Sequence, residues 1–306
     1  MMNALIIKAT GSWYRALTGE GTTIECRLPG KYRLKDEELT NPVAIGDQIT
    51  LAVQDDGTAL IREILPRKNK LLRKATHGRR GVQLLAANVD QVLVVQSLLQ
   101  PALKTGFTDR LLVSCEAYEM TPLLVINKTD LARTPDDKDR LKCFEDLYTG
   151  LGYRVLKTSI HDAQSLENLR SSLADRISVL SGPSGTGKSS LLNAIHPGLN
   201  LKTRDISRFS SKGKHTTTFA QLIELNRNTF IADTPGIREF GLVGIRTNEV
   251  SLYYPDMRPY TGSCRFYNCS HRHEPECAVR TAVDKGEISA ERYKSYQNIL
   301  GSLEGE

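Results

Sequence analysis

The chain has 306 residues, enough for two or three domains with substantial cores. Hydrophobic residues make up 40% and charged residues 25%, as in ordinary soluble globular proteins, and no apolar run reaches the roughly 18 residues that a membrane span needs. The net charge of +6 alone says little about partners. The N-terminus becomes polar too quickly for a signal peptide, so we expect a cytoplasmic protein without membrane contact.

Residues 1 to about 66 predict a small all-β unit. Five strand-like segments are separated by turns rich in Gly, Pro and Asp: Ala4–Lys8, Trp13–Leu17, Thr22–Leu28, Asp47–Val53 and Ala59–Ile64. Short strands at this spacing fit a closed barrel of the OB-fold type, a fold that often binds nucleic acid. Trp13, Tyr14 and Tyr32 are candidates for base stacking. The pattern is equally compatible with Trp13 or Tyr14 filling the barrel interior.

A basic connector follows the predicted barrel. It contains no acidic residue and seven basic ones, which are Arg67, Lys68, Lys70, Arg73, Lys74, Arg79 and Arg80. A solvated linker is the usual interpretation of such a run. Its position beside a barrel of this type favours contact with a phosphate backbone instead.

From about Gly81 the pattern changes to buried strands that alternate with amphipathic helices. The predicted strands are Gln91–Gln96, Pro122–Ile126, Tyr153–Lys157 and Arg176–Leu180. The predicted helices are Thr108–Tyr118 with Thr108 as N-cap, Asp136–Tyr148 and Ser165–Ala174. This alternation predicts a parallel sheet with helices on both faces and ligand sites at the carboxyl ends of its strands.

A phosphate-binding loop is predicted where the fourth of these strands meets the helix Ser189–Ile195. The segment matches G-x-x-x-x-G-K-[ST], and its backbone N–H groups and the helix dipole would converge on an anion. Lys188 would bridge the β- and γ-phosphates, and Ser189 would hold Mg²⁺. The predicted nucleotide contacts are Gly182, Pro183, Ser184, Gly185, Thr186, Gly187, Lys188, Ser189 and Ser190.

Two further strand ends predict recognition of a guanine base. The sequence Asn127-Lys128-Thr129-Asp130 matches N-K-x-D, in which the aspartate accepts two hydrogen bonds from the guanine N1–H and amino group. Adenine offers no such pair of donors. Ser159 and Ile160 resemble the S-A-x loop that contacts guanine O6 through its backbone, although Ile stands where Ala is usual.

The segment from Asp233 to Gly236 follows the predicted strand Asn228–Ala232 and matches D-x-x-G. Asp233 would approach Mg²⁺, and the Gly236 N–H would approach the γ-phosphate. Residues 213–218 form a candidate switch I, in which Thr217 would complete the Mg²⁺ shell. Ile237 occupies the position of the usual water-orienting Gln, so intrinsic hydrolysis is expected to be slow. His215 is the candidate that replaces it, with a solvent-exposed loop histidine as the alternative.

A second kind of site is predicted near the C-terminus. Cys264, Cys269, His271 and Cys277 supply the ligands of a closed Cys₃His structural zinc site, with His273 as an alternative fourth ligand. Flanking arginines are consistent with contact to nucleic acid. The isolated thiols, Cys26, Cys115 and Cys143, are predicted to lie in the core.

The motifs occur in a permuted order, because N-K-x-D and the S-A-x-like loop precede the phosphate-binding loop. Together with the barrel and the C-x4-C-x-H-x5-C region, this order resembles the RsgA (YjeQ/YloQ) family of bacterial circularly permuted GTPases over nearly the whole chain. The resemblance implies a cytoplasmic GTPase that is stimulated by the small ribosomal subunit, acts late in its maturation and contacts rRNA. It also supports residues 213–218 as switch I and His215 as a catalytic candidate.

We therefore expect a multidomain protein with an OB-fold RNA-binding domain at 1–68, a circularly permuted α/β GTPase domain at 69–244 and a mainly helical zinc domain at 245–306. It would bind GTP or GDP with Mg²⁺ and one structural Zn²⁺, and act as a monomer. Its catalytic residues would be Lys188, His215 and Gly236. Two alternatives remain: a regulatory nucleic-acid-binding module that binds GTP with little turnover, and a P-loop ATPase, against which Asp130 argues.

Overall fold

The computed structural model describes residues 2–29, 41–74, 81–199, 220–233 and 242–305. The strands within these ranges are β1 Met2–Thr10, β2 Trp13–Thr18, β3 Thr23–Arg27, β4 Gln48–Val53, β5 Ala59–Ile64, β6 Lys70–Lys74, β7 Val82–Ala87, β8 Gln91–Ser97, β9 Thr121–Asn127, β10 Arg154–Thr158, β11 Ile177–Ser181, β12 Ala220–Asn226 and β13 Thr229–Asp233. The α-helices are α1 Thr105–Ala117, α2 Pro135–Gly150, α3 Ala163–Leu173, α4 Lys188–Ile195, α5 Ala278–Asp284 and α6 Ala290–Glu304. None of the helices in the described ranges has the length and hydropathy of a membrane span.

Five strands close into the N-terminal barrel, as the sequence predicts. They are hydrogen-bonded in the order β1-β2-β3-β5-β4, and β4 pairs back onto β1. Strand alternation places Ile6, Ala16 and Ile61 inside, each 0% exposed. The same alternation decides between the two aromatic residues of β2, because Tyr14 is 5% exposed and Trp13 is 42% exposed. Tyr14 fills the barrel, and Trp13 lies on its outer surface.

The central sheet has helices on both faces, as predicted. Its strand order is β10-β9-β8-β11-β13-β12, in which β12 alone runs antiparallel to its neighbour. Residues of β8 alternate between two cores: Val92 and Val94 pack with α1 and α2, whereas Leu93 and Val95 pack with α3 and α4. The carboxyl ends of β9, β10, β11 and β13 therefore meet at one edge of the sheet. Strand β12 was not predicted.

The barrel and the central sheet form one continuous sheet of eleven strands. The connection is antiparallel pairing of β1 with β12, with Lys8 opposite Gln221 and Ala9 opposite Ala220. Strand β1 thus belongs to both domains, which holds the barrel against the strand next to β13.

The interpretation of residues 67–80 as a linker is wrong for the residues that the structure describes there. Strand β6 pairs with β7 in a hairpin, and Leu71 is 0% exposed. The Arg67 guanidinium donates to the buried Asp47 carboxylate at 2.6 and 2.8 Å and to the Pro42 carbonyl at 2.7 Å. Arg67 therefore forms an internal ion pair with Asp47, while Lys70 remains exposed.

Two smaller expectations are also wrong. Helix α1 begins at Thr105 with Lys104 at its N-cap. Thr108 lies buried inside the helix, where its hydroxyl accepts a hydrogen bond from Gln96 Nε2 at 3.0 Å. Cys143 is exposed on the solvent side of α2, whereas Cys26 and Cys115 lie in the core as predicted.

The C-terminal region is mainly helical, and it docks on α1. Its core packs α5, α6 and the 3-10 helix Thr247–Tyr253 around Tyr254, Met257 and Tyr296. Arg292 of α6 is buried between Asp109 of α1 and Asp256, with N···O distances of 2.5 Å to Asp109 and 2.7 and 2.8 Å to Asp256. This ion-pair network fastens the C-terminal region to the central domain.

Candidate functional site

The phosphate-binding motif lies between β11 and α4, where the sequence predicts it. Two positions in the motif require glycine because atoms of neighbouring strands lie too close to leave room for a side chain. A Cβ on Gly182 would lie 2.1 Å from the Val95 carbonyl oxygen, and one on Gly187, which has φ +93°, would lie 2.3 Å from Asn127 Nδ2. Any larger residue at either position would push the loop away from β8 and β9.

Lys188, the first residue of α4, is 6% exposed. Its Nζ donates to the carbonyl oxygens of Gly182 at 2.7 Å and Pro183 at 2.8 Å. The loop is therefore wrapped around the ammonium group, which supplies positive charge inside the turn. Ser189 follows at 7% exposure.

Asn127 and Lys128, the first two residues of the N-K-x-D motif, contact the phosphate-binding loop. Asn127 Nδ2 donates to the Thr186 carbonyl at 2.8 Å, and its Oδ1 accepts from Thr158 Oγ1 at 3.1 Å. Lys128 has left-handed backbone torsions, with φ 61°, and its Nζ donates to the carbonyl of Gly185 at 2.7 Å. The ends of β9, β10 and β11 are thus linked directly.

The Asp130 carboxylate is oriented by Ser159. Ser159 Oγ donates to Asp130 Oδ1 at 2.6 Å and accepts from the His161 N–H at 3.1 Å. This hydrogen bond from Ser159 holds the pKa of the Asp130 carboxyl below its usual value, which keeps it ionised and able to accept hydrogen bonds. A pocket of about 240 Å³ opens here, lined by Gln100, Asn127, Lys128, Asp130, Leu131, Ile160, His161, Gly187 and Ser190.

Gln100 was not predicted as part of this pocket. It lies between β8 and α1, its carbonyl accepts from Lys128 Nζ at 2.8 Å, and the neighbouring Pro101 approaches Gly185. The segment contains no motif. Its position after a buried strand at the same sheet edge is the one signal that could have identified it.

Asp233 lies at the end of β13, and its side chain is exposed. Because β13 pairs in parallel with β11, with Ala232 opposite Val179, Asp233 lies at the same edge of the sheet as the phosphate-binding loop. Thr217, His215 and Gly236, the other residues predicted for magnesium binding and catalysis, lie outside the described residues.

A larger pocket of about 370 Å³ lies at the opposite edge of the sheet. It is formed by α3, the end of α4 and the turn between β12 and β13. None of the predicted site residues contributes to it, whereas several of them line the smaller pocket.

The predicted zinc ligands form a second cluster. The ligand atoms of Cys264, Cys269, His271 and Cys277 all lie within 4.8 Å of one another. Cys264 and Cys277 are 3.9 Å apart at Sγ, and His271 Nδ1 lies 3.4 and 3.5 Å from them. Tetrahedral zinc with bonds of about 2.3 Å to sulfur and about 2.0–2.1 Å to nitrogen requires about 3.8 and about 3.6 Å. The donor set therefore fits Zn²⁺ in both chemistry and size.

His271 rather than His273 belongs to this cluster, since His273 is exposed. Burial lowers the pKa of His271, which keeps the imidazole neutral and able to ligate a metal. The loop is supported from outside: Tyr293 donates to the His271 carbonyl at 2.7 Å, and the Glu274 carboxylate accepts from the Ser270 N–H at 2.6 Å. These contacts fix the backbone that carries the imidazole.

Comparisons with known proteins agree with this architecture. The family model described as the RsgA N-terminal domain matches residues 4–61, and that of the RsgA GTPase matches residues 64–243. The chain belongs to the RsgA GTPase family. The small ribosomal subunit biogenesis GTPase RsgA 2 of Bacteroides thetaiotaomicron is 42% identical over 99% of this chain and 97% of its own length. The corresponding protein of Christiangramia forsetii is 39% identical over 98% and 96%.

Two solved structures are similar over the whole chain. YjeQ from Thermotoga maritima has a TM-score of 0.81 at 33% identity, covering 100% of this chain and 99% of its own. YloQ, described as a circularly permuted GTPase, has a TM-score of 0.77 at 31% identity, covering 100% of this chain and 96% of its own. The predicted family, fold class and permuted order are thereby confirmed.

Proposed function

We propose that this RsgA-family GTPase binds the small ribosomal subunit, assists its late maturation and hydrolyses GTP to GDP and phosphate with stimulation by the subunit. The observation that supports nucleotide binding is the contact between the N-K-x-D motif and the phosphate-binding loop. Asn127 bonds to the Thr186 carbonyl, so the Asp130 pocket and the phosphate-binding loop form one site. Relatives named as small ribosomal subunit biogenesis GTPases support the choice of partner.

In this proposal Asp130, oriented by Ser159, selects guanine, and the backbone of residues 182–190 cradles the phosphates. The Lys188 ammonium neutralises charge on the β- and γ-phosphates. Ser189 and Asp233 would hold Mg²⁺, since hydroxyl and carboxylate oxygens suit that ion. Bound Mg²⁺ would neutralise charge on the phosphates. The roles of His215, Thr217 and Gly236 remain predictions.

The outer surface of the barrel supports contact with rRNA. Trp13 and Arg27 are cross-strand neighbours on β2 and β3, and the guanidinium lies 5.8 Å from the indole centroid. An exposed indole beside a cation suits stacking on an unpaired base. In the basic segment, Lys70 is an exposed candidate for phosphate contact, whereas Arg67 is held by Asp47.

For the C-terminal cluster we propose one structural Zn²⁺ bound by Cys264, Cys269, His271 and Cys277. Four protein ligands leave no open position, so the ion would stabilise the fold without taking part in hydrolysis. The cytoplasmic location and the monomeric state remain predictions.

The experiment that tests the proposed function is phosphate release from GTP by purified protein, alone and with purified small or large ribosomal subunits. Stimulation specific to the small subunit is expected. The competing function, a regulatory module that binds GTP with little turnover, is favoured by Ile237 at the position of the water-orienting Gln. Intact GTP binding without stimulation by small subunits would support that competitor and refute our proposal.

Nucleotide specificity is tested by competition of GTP and ATP for a fluorescent GDP analogue. We expect GTP to compete far better, since adenine presents no donor pair to Asp130. Asp130→Asn should remove this preference, with Asp136→Asn, on the exposed first turn of α2, as the matched control. Equal competition by ATP in the wild-type protein would favour the ATPase alternative.

A further inference from the structure

The loop between the first two predicted zinc ligands exposes an unusual set of side chains. Residues 265–268 are Arg-Phe-Tyr-Asn, all four are exposed, and Cys264 and Cys269 anchor the loop at both ends. Tyr267 is fully exposed, and Phe266 is 40% exposed. Neither ring belongs to the hydrophobic core of the C-terminal region, so their exposure needs another explanation.

The loop is held in a defined shape. The Cys269 N–H donates to the Phe266 carbonyl at 3.2 Å, which closes a turn directly behind the aromatic pair. The Arg265 guanidinium lies 5.5 Å from the Phe266 ring centroid and also pairs with the Glu276 carboxylate. A fixed backbone and side chains with two torsions mean that little conformational entropy is lost when a flat partner binds.

Electrostatics argue against phosphate as the principal ligand of this region. Residues 256–305 have no net charge, with seven basic residues (Arg258, Arg265, Arg272, Arg280, Lys285, Arg292 and Lys294) and seven acidic ones (Asp256, Glu274, Glu276, Asp284, Glu287, Glu291 and Glu304). Four of these arginines have carboxylate partners: Arg258 with Glu116, Arg265 with Glu276, Arg272 with Glu304, and the buried Arg292 with Asp109 and Asp256. The arginines that suggest nucleic-acid contact from sequence are therefore largely neutralised.

We infer that Phe266 and Tyr267 form a stacking platform for an unpaired RNA base. The aromatic rings would contact the flat face of the base and not the phosphate backbone. The inference rests on the proposed function, because it places the base on the small ribosomal subunit. Bases have apolar faces that stack on tyrosine and phenylalanine without a requirement for charge. The neutral surroundings and the fixed aromatic pair match that chemistry.

The test uses the full-length, zinc-loaded protein and purified small ribosomal subunits, with Kd measured over a series of KCl concentrations. Tyr267→Ala should weaken binding roughly 5- to 100-fold, the range for loss of one stacked base. Tyr267→Phe should stay within about 2-fold of wild type, and Tyr267→Leu should behave like the alanine variant. The dependence of log Kd on log[KCl] should keep the wild-type slope, because no phosphate contact is lost.

Zinc content by atomic absorption verifies that each variant retains its C-terminal fold. Leu252→Ala is the matched control, an exposed apolar residue of the same region at 47% exposure and outside the loop, and it should leave Kd unchanged. Full binding by Tyr267→Leu would overturn the inference in favour of an apolar contact with protein. An unchanged Kd for Tyr267→Ala would overturn it while subunit binding stands, and failure of the wild type to bind subunits would overturn both proposals.

Discussion

Replacing Arg292 with Met should loosen the C-terminal region more than any other single ion-pair change in the described residues. Arg292 is 1% exposed, and its guanidinium bonds to both Asp109, which is 0% exposed, and Asp256. Its plane also lies 4.7 Å from the Tyr254 ring centroid and 5.7 Å from that of Tyr148. Met fills similar volume but leaves two carboxylates without their cation.

Breaking a buried pair by removing one partner costs about 3–5 kcal/mol, because the remaining charge is left uncompensated. A typical domain has a total stability of about 5–15 kcal/mol, so local opening of α1 and α6 should become frequent. Arg272→Met is the matched control. Arg272 pairs with Glu304 where their side chains are 26% and 53% exposed, and loss of such a pair costs about 0–1 kcal/mol.

The assay is native-state hydrogen exchange, because a multidomain chain is not expected to unfold in one step. In Arg292→Met the opening free energies of α1 and α6 should fall by about 3–5 kcal/mol, while those of β2 and β3 in the barrel stay unchanged. If the opening free energy of α6 in Arg292→Met fell by less than about 1 kcal/mol, as expected for Arg272→Met, the reasoning would be refuted.

The loss should also depend on pH. Burial raises the pKa of Asp109, and Arg292 partly counters that effect. Without Arg292 the folded-state pKa rises further above the unfolded value, so the folded variant binds more protons than the unfolded chain. The stability of Arg292→Met relative to wild type is therefore highest at low pH. It declines as the pH rises from the ordinary pKa of an aspartate through the raised pKa of Asp109 in the folded variant.

Three further predictions concern the two sites. Gly187→Ala should weaken binding of a fluorescent GDP analogue at least 10-fold, since the new Cβ would lie 2.3 Å from Asn127 Nδ2. Ser159→Ala removes the main cause of the lowered pKa of Asp130, so the acidic limb of GDP binding should move to higher pH in a titration. Cys277→Ser should lower the zinc content, measured by atomic absorption, well below one per chain, with loss of helical protection in α5.

Each of these predictions has a matched control. Gly19→Ala, at a glycine with open space around its Cβ position, should bind GDP like wild type. Thr22→Ala should leave the pH profile of GDP binding unchanged, because its hydroxyl bonds to Thr18 in the barrel. Cys143→Ser, an exposed thiol outside the cluster, should keep full zinc content. Equal behaviour of a test variant and its control would contradict the corresponding prediction.

The sequence predicts those parts of the fold and site whose determinants lie close together along the chain. The loop 182–190 and residues 127–130 each follow a buried strand, so motif and strand pattern support each other. The side to which an aromatic residue of β2 points depends on register, which only the structure supplies for Trp13 and Tyr14. The helix start at Thr105 was missed because no side chain caps it.

Interactions between distant segments could not be predicted. Arg292 and Asp109 are 183 residues apart, and nothing local marks them as partners. Arg67 looks like one more residue of a basic run until β4 and the turn before it bring Asp47 to its guanidinium. Cys143 lies next to the apolar Phe144 in sequence, but α2 buries only Phe144 and Tyr148, which places the thiol on the outer side.

The pairing of β1 with β12 has a consequence for shortened forms of the protein. A sheet that ends in an uncovered strand offers its unpaired N–H and C=O groups to other chains. Here the N-terminal barrel closes upon itself and shields part of the far side of β12, at Ala220 and Gln221. Removing the first 66 residues to isolate the nucleotide-binding core would therefore leave β12 as an exposed edge strand, and such a fragment is expected to self-associate more readily than the intact chain.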